Sequence, residues 1–126
     1  MMKDQDLFIK ELIDLFPSLK EELLDEDYRA SITFQMGSFK RFMQEAIAKN
    51  DGDMFDAMVN FITKNLPLVD KRVQNAIYLS FLGKLDFSEN HDLRKRLGQH
   101  LGKAYTAIDN YNNSPANDEV KKFLNK

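Results

Sequence analysis

The sequence predicts an all-α fold of six or seven helices packed mainly as antiparallel hairpins. Three observations predict it. Apolar residues recur at helical spacing along almost the whole chain, and strand-like alternation is confined to one short stretch. The connections after 39–50 and 53–66 are short, and short links make adjacent helices antiparallel. The segment Asp70–Leu85 carries two apolar stripes, Val73, Ala76, Ile77 and Phe81 on one and Tyr78, Leu79, Leu82 and Leu85 on the other. A helix apolar on more than one side is expected to be central and buried.

Each element follows in order. Asp4–Phe16 places Phe8, Leu12, Leu15 and Phe16 on one side of a helix. Pro17 stops that helix or starts the next, because proline fits a first turn but not an interior. Ser18–Asp25 continues with Leu19, Leu23 and Leu24. Glu26–Met36, where Ile32, Phe34 and Met36 alternate, reads as irregular or partly helical. Gly37 and Ser38 are expected to break and recap the chain. The next helix then buries Phe39, Phe42, Met43, Ala46 and Ile47. Asn50-Asp51-Gly52 is a turn signal. Asp53 is expected to cap a helix burying Phe55, Met58, Val59, Ile62 and Leu66, which Pro67 ends. Asp70 caps the central segment. Residues 86–90 link it to Asn90–Tyr111, expected as the longest helix, with Leu93, Leu97, Leu101, Ala104, Tyr105 and Ile108 inward. Gly98 and Gly102 each cost about 1 kcal/mol inside a helix. A close crossing by a neighbouring helix is the expected reason for them, with a kink as the alternative. Ser114-Pro115 starts a short final helix with Val120, Phe123 and Leu124.

The chain has 126 residues, a length that fits one domain over 1–126 with a core of its own. It has no cysteine, which excludes disulfides and thiolate metal sites. The N-terminal stretch carries acids where a secretory signal would carry only bases, and no apolar run approaches the ~20 residues needed to span a bilayer. A cytoplasmic protein with no membrane role is expected. Net charge is −2 but is unevenly spread: residues 1–62 sum to −6 and residues 63–126 to +4.

Chemistry-bearing patterns are sparse. Neither a nucleophile elbow nor a phosphate-binding glycine loop occurs. His91 and His100 stand nine residues apart on one expected helix, on opposite sides, so they form no i, i+4 metal pair. Asp51, Gly52, Asp53 and Asp56 give a fragment of a calcium loop without the distal glutamate. No catalytic residue, metal or cofactor is expected, and the chain reads as non-enzymatic. The densest charge is the acidic group Glu21, Glu22, Asp25, Glu26 and Asp27, with Glu21 and Asp25 an i, i+4 pair on a helix. It is the candidate partner-binding surface, suited to a basic protein. The basic residues Lys71, Arg72, Arg94, Lys95, Arg96 and Lys103 raise nucleic-acid binding, which the acidic overall balance and the lack of a helix-turn-helix pattern disfavour. A homodimer or adaptor built on an apolar helix face is the alternative to the protein-binding module. Phe39, Phe42, Met43, Phe55, Met58 and Phe61 fall at core spacing and read as packing.

Two resemblances add to this reading. Asp70, Val73, Ala76, Ile77, Leu82 and Gly83 resemble the second helix of a HEAT-type repeat, although Gln74 replaces the usual arginine and the step from Val73 to Leu82 is one residue longer. More of the chain, roughly residues 5–108, resembles a family of small all-helical bacterial proteins of unknown function that sit among candidate immunity proteins. The resemblance is carried by LFPSLKEE, the stretch from Met36-Gly37 to Lys49-Asn50-Asp51, Val73-Gln74-Asn75 and Leu101-Gly102. It supplies no catalytic residues to carry over and implies a binding role more than an enzymatic one, with a basic toxin or nuclease domain as the expected partner.

Overall fold

The computed structural model describes residues 2–113 and is all-α, with seven α-helices and no strand among those residues. They are α1 (Gln5–Leu15), α2 (Lys20–Leu23), α3 (Ile32–Ala48), α4 (Gly52–Asn65), α5 (Lys71–Ala76), α6 (His91–Lys95) and α7 (Gly98–Asn113). The expected final helix after Ser114 lies outside the described residues. Polar caps start most of these helices: the side chains of Asp4, Ser31, Asp51, Asp70 and Asn90 each accept a backbone N–H from the first turn. The N-terminus is tied down by Lys3, whose backbone pairs with Leu68 and Asp70.

α3 is the axis of the molecule. It packs on α2, α4, α5 and the turn that follows α5. α3 and α4 form a helical hairpin closed by Lys49–Asp51, where Asn50 adopts a left-handed φ of 54°. One continuous core takes in Phe8, Leu12, Met36, Phe39, Met43, Phe55, Met58 and Ile62, all fully enclosed. Aromatic rings knit it together. Phe39 stacks on Phe81 at 4.7 Å between centroids, and Phe16 touches Phe39, Phe42 and Phe61. The six Phe and Met residues expected at core spacing are buried, apart from Phe42, which is half-buried against the core.

Five expectations need correction. Gly37 and Ser38 do not break the chain: both lie inside the 17-residue α3, and Ser31 is its cap. Glu26–Met36, by contrast, is partly helical as expected: α3 begins at Ile32, with 32 and 36 one turn apart and buried while Phe34 points to solvent. Asp51, not Asp53, caps α4. Leu15 and Leu24 lie outside the core. Asn90–Tyr111 is two helices, because the chain turns at Gly98 with φ +86°, so α3 is longer than either. Among the described residues no helix crosses closely at Gly98 or Gly102, since a Cβ at either would meet none of them within 4 Å. The close approach is at Gly83, where a Cβ would lie 2.8 Å from Ile108 Cγ2 on α7.

The central segment holds its first stripe as expected: Val73, Ala76, Ile77 and Phe81 are buried. α5 then widens into a π turn at Ile77–Phe81 and tightens into a 3₁₀ turn at Leu82–Lys84, which packs on α7. Of the second stripe, Leu82 and Leu85 are buried, Tyr78 is half-buried and Leu79 is 51% exposed. The segment is therefore flanked on two sides but not enclosed. Among the described residues, no helix is long and apolar enough to cross a membrane.

Candidate functional site

The acidic group sits on a short, tightly wound corner. α2 lasts one turn, anchored inward by the fully buried Leu23. The chain then turns on Asp25, whose carbonyl accepts from the N–H groups of Tyr28 and Arg29 and whose carboxylate accepts from Asp27 N–H at 2.9 Å. Because α2 ends at Leu23, Asp25 is not on the same helix as Glu21, and the expected i, i+4 helical pair is not formed. Glu21, Glu22, Asp25, Glu26 and Asp27 are all exposed. The structure brings them together on one corner, but Glu22 is engaged by Arg41, whose guanidinium that bond holds further toward its charged form.

What fixes this corner was not visible as a motif. Gln5 on α1 and Gln35 on α3 are both buried. The Gln5 side-chain amide donates to Gln35 Oε1 at 2.8 Å and to the Arg29 carbonyl at 3.1 Å. The Gln35 amide donates to the Leu23 carbonyl at 2.8 Å, and Arg72 donates to Gln5 Oε1 at 2.7 Å. Both ends of the corner are thus hydrogen-bonded to one buried polar pair. Glutamine is neutral to hydrophobic periodicity, and its partners come from 12 to 67 residues away. No local signal could have found it.

Between α1 and the corner runs an open groove of about 650 Å³. α1 contributes Asp6, Ile9, Lys10, Ile13 and Asp14. Lys20, Leu24 and Arg29 form the opposite wall, and Gln35 lies at the floor. A second groove of about 480 Å³ lies on the other side of α1, against α4, with Leu15, Phe16 and Phe61 in its walls. Lys3 closes it by bonding to Glu11 at 2.6 Å and to the buried Asn65 at 2.9 Å.

The remaining candidates disperse. His91 and His100 are on different helices, and both are exposed. His100 Nε2 lies 2.9 Å from the hydroxyl of Tyr78, whose phenol burial pushes up. Among the described residues, no group of three or more His, Asp or Glu side chains could hold a metal ion. In the calcium-loop fragment, Asp51 serves as a cap and Asp56 pairs with Arg96. Of the basic residues, Arg72 binds Gln5, Arg96 binds Asp56, and Arg94 lies 4.8 Å over the Tyr105 ring. Lys71, Lys95 and Lys103 are exposed.

Residues 9–113 match a family described as a domain of unknown function, DUF7674. The chain belongs to that family. No curated protein and no solved structure matches it. The matched span of DUF7674 contains the acidic corner, Gln35 and most of the groove, while Gln5 and Asp6 precede it.

Proposed function

We propose that this chain is a non-catalytic protein-binding module of the bacterial cytoplasm, and that it neutralises a basic toxin or nuclease domain in the manner of an immunity protein. The observation that carries this reading is the exposed acidic corner Glu21, Glu22, Asp25, Glu26 and Asp27, held in one conformation by the buried Gln5–Gln35 pair. A fixed cluster of one sign attracts an oppositely charged partner and speeds encounter, while a pre-ordered backbone lowers the entropy lost on binding.

Reversing Glu22, Asp25 and Asp27 to lysine tests it. All three are exposed, so the loss of stability should stay within about 2 kcal/mol, including the broken Glu22–Arg41 pair and the lost bond from Asp27 N–H to the Asp25 carboxylate. Capture of the partner from the native host should fall sharply and the wild-type association should weaken with salt. Unchanged capture by a normally folded variant overturns the acidic-face reading.

The second reading is an oligomeric adaptor. It is favoured by Leu7 and Leu15, 44% and 60% exposed and eight residues apart on α1. It requires a dimer in sedimentation velocity, and a strictly monomeric profile removes it. The likeness of 70–85 to a HEAT-type helix suits either reading, because stacked helix pairs serve as binding scaffolds. The π turn at 77–81 is where a one-residue-longer step from Val73 to Leu82 would be accommodated.

A further inference from the structure

We infer that the pocket where α4, α5 and α7 meet is a binding site for a small organic carboxylate, its acid group held by the Tyr78–His100 pair and its apolar body by Leu66 and Pro67. The pocket shares no residue with the acidic corner or with either groove beside α1. Thr63 comes from α4, Leu66 and Pro67 from the turn after it, Gln74 from α5, Tyr78 from the π turn and His100 from α7. Its volume of about 430 Å³ lies within the range of small-molecule sites. Gln74 is fixed in the wall by its side-chain amide, which donates to the Leu66 carbonyl at 2.8 Å. A wall set in this way has little freedom left to lose when a ligand binds.

The lining selects the sign of the ligand. It holds no carboxylate, and His100 is the lining side chain of a type that gains charge between pH 5 and 8. Beyond the lining, Lys71 lies one turn before Gln74 and Lys103 one turn after His100, both exposed. Asp70, also one turn before Gln74, turns its carboxylate to the Val73 N–H as the cap of α5, and Arg96, before the turn at Gly98, is held by Asp56. An anion therefore enters without repulsion from the lining and a cation does not. The pair supplies the polar contact. Tyr78 Oη and His100 Nε2 are 2.9 Å apart, and the rings meet edge-on with centroids 6.3 Å apart. Burial pushes the Tyr78 phenol up, so it keeps its proton. A carboxylate beside Tyr78 selects the arrangement in which Nε2–H donates to Oη and the phenol O–H donates to the ligand. Protonating the imidazole from solvent enforces that arrangement, because both ring nitrogens are then donors, and adds a positive charge. Binding is thereby coupled to proton uptake and strengthens as pH falls.

The test titrates the ¹⁵N-labelled full chain with benzoate, benzyl alcohol and benzylamine, probes of like size that are anionic, neutral and cationic. Benzoate should shift amides of residues 63–67, 74–78 and 98–102 with a dissociation constant of about 1 mM, ordinary for so small a ligand. Benzyl alcohol and benzylamine should each bind at least about tenfold more weakly. The affinity for benzoate should fall about tenfold between about pH 5.5 and about pH 8. Tyr78→Phe keeps the ring and should weaken benzoate about tenfold at the lower pH. His100→Gln, at an exposed position, should fold normally and bind benzoate with no pH dependence. Equal binding of benzoate and benzyl alcohol, shifts outside those residues, a pH dependence that survives His100→Gln, or no binding of benzoate each overturns the inference.

Discussion

Replacing Gln35 with leucine should unlatch the acidic corner, and its size can be worked from the bonds lost. Gln35 is 2% exposed and makes two side-chain hydrogen bonds, to the Leu23 carbonyl and from the Gln5 amide, each 2.8 Å long. Leucine fills most of the volume, so the cavity cost is small. The cost is the polar groups left behind. The Leu23 carbonyl and one Gln5 N–H lose their partners in an environment without water, at about 1–3 kcal/mol each. Gln5 keeps Arg29 and Arg72, which limits its share. A total near 3 kcal/mol follows, and at about 4 °C per kcal/mol for a chain of this size the melting temperature should fall by roughly 12 °C. The local effect is the sharper signature. Hydrogen exchange at residues 24–31 should accelerate more than in α4, because the corner opens without the core opening. Urea denaturation gives the first quantity and exchange mass spectrometry the second. A loss below about 1 kcal/mol with no selective change at 24–31 would refute the argument that this pair positions the corner.

Other outcomes follow from the same geometry. Gly102→Ala should raise stability by about 0.5–1 kcal/mol, since its Cβ meets nothing, whereas Gly83→Ala should lower it by about 1–3 kcal/mol through the clash with Ile108; equilibrium unfolding that reversed this order would contradict the assigned crossing. Burial raises the Tyr105 phenol, which donates to the Leu85 carbonyl at 2.9 Å. Its stabilising contribution is complete below the ordinary phenol value of about 10 and is lost as pH rises toward the raised folded value, so urea midpoints measured upward from about pH 8 should fall at the alkaline end, less so in Tyr105→Phe. Deleting Leu79 should leave a folded protein, because the π turn then closes as ordinary α-helix. Deleting Ala57, which is also exposed, should unfold it, by turning Phe55 about 100° out of phase with Met58 and Ile62; circular dichroism separates the two, and equal collapse would refute the comparison.

The helices and their inward faces were legible because burial repeats with the helical period. Phe39, Met43, Ala46 and Ile47 on α3, and Phe55, Met58, Val59 and Ile62 on α4, are buried where the spacing puts them. Boundaries were legible less often. Ser31 and Ser38 are equally good caps by type, and the choice between them is made by Ile32, Gln35 and Met36, which must reach the core. Gly37 is tolerated mid-helix because a long helix with a buried face absorbs about 1 kcal/mol. Gly98 had a stop signal in reach, the basic residues at 94–96 before a glycine, but the unbroken leucine spacing of 93, 97 and 101 masked it. The acidic corner was legible as charge. Its scaffold, built of uncharged glutamines, and the groove beside it were not, since both exist only once α1, α3 and the corner are assembled.

The central segment shows why its two stripes were hard to read. From Val73 to Leu82 is nine residues, which in a regular α-helix sets them about 180° apart. On that footing Phe81 and Leu82 cannot both face one core. Yet Phe81 is 1% exposed and stacked on Phe39, and Leu82 is wholly buried toward α7. The π turn at 77–81 takes in one extra residue, so Leu82 behaves as if eight residues on, about 80° from Val73, and Phe81 falls about 20° from it on the other side. The two side chains then straddle the buried direction. The residue left over is Leu79, which the wider turn carries out to solvent at 51% exposure. Two apolar stripes thus record a helix whose pitch changes partway, not one enclosed on every side. Gly83, just past the π turn, lies under Ile108, where a larger residue fits only if that side chain shifts.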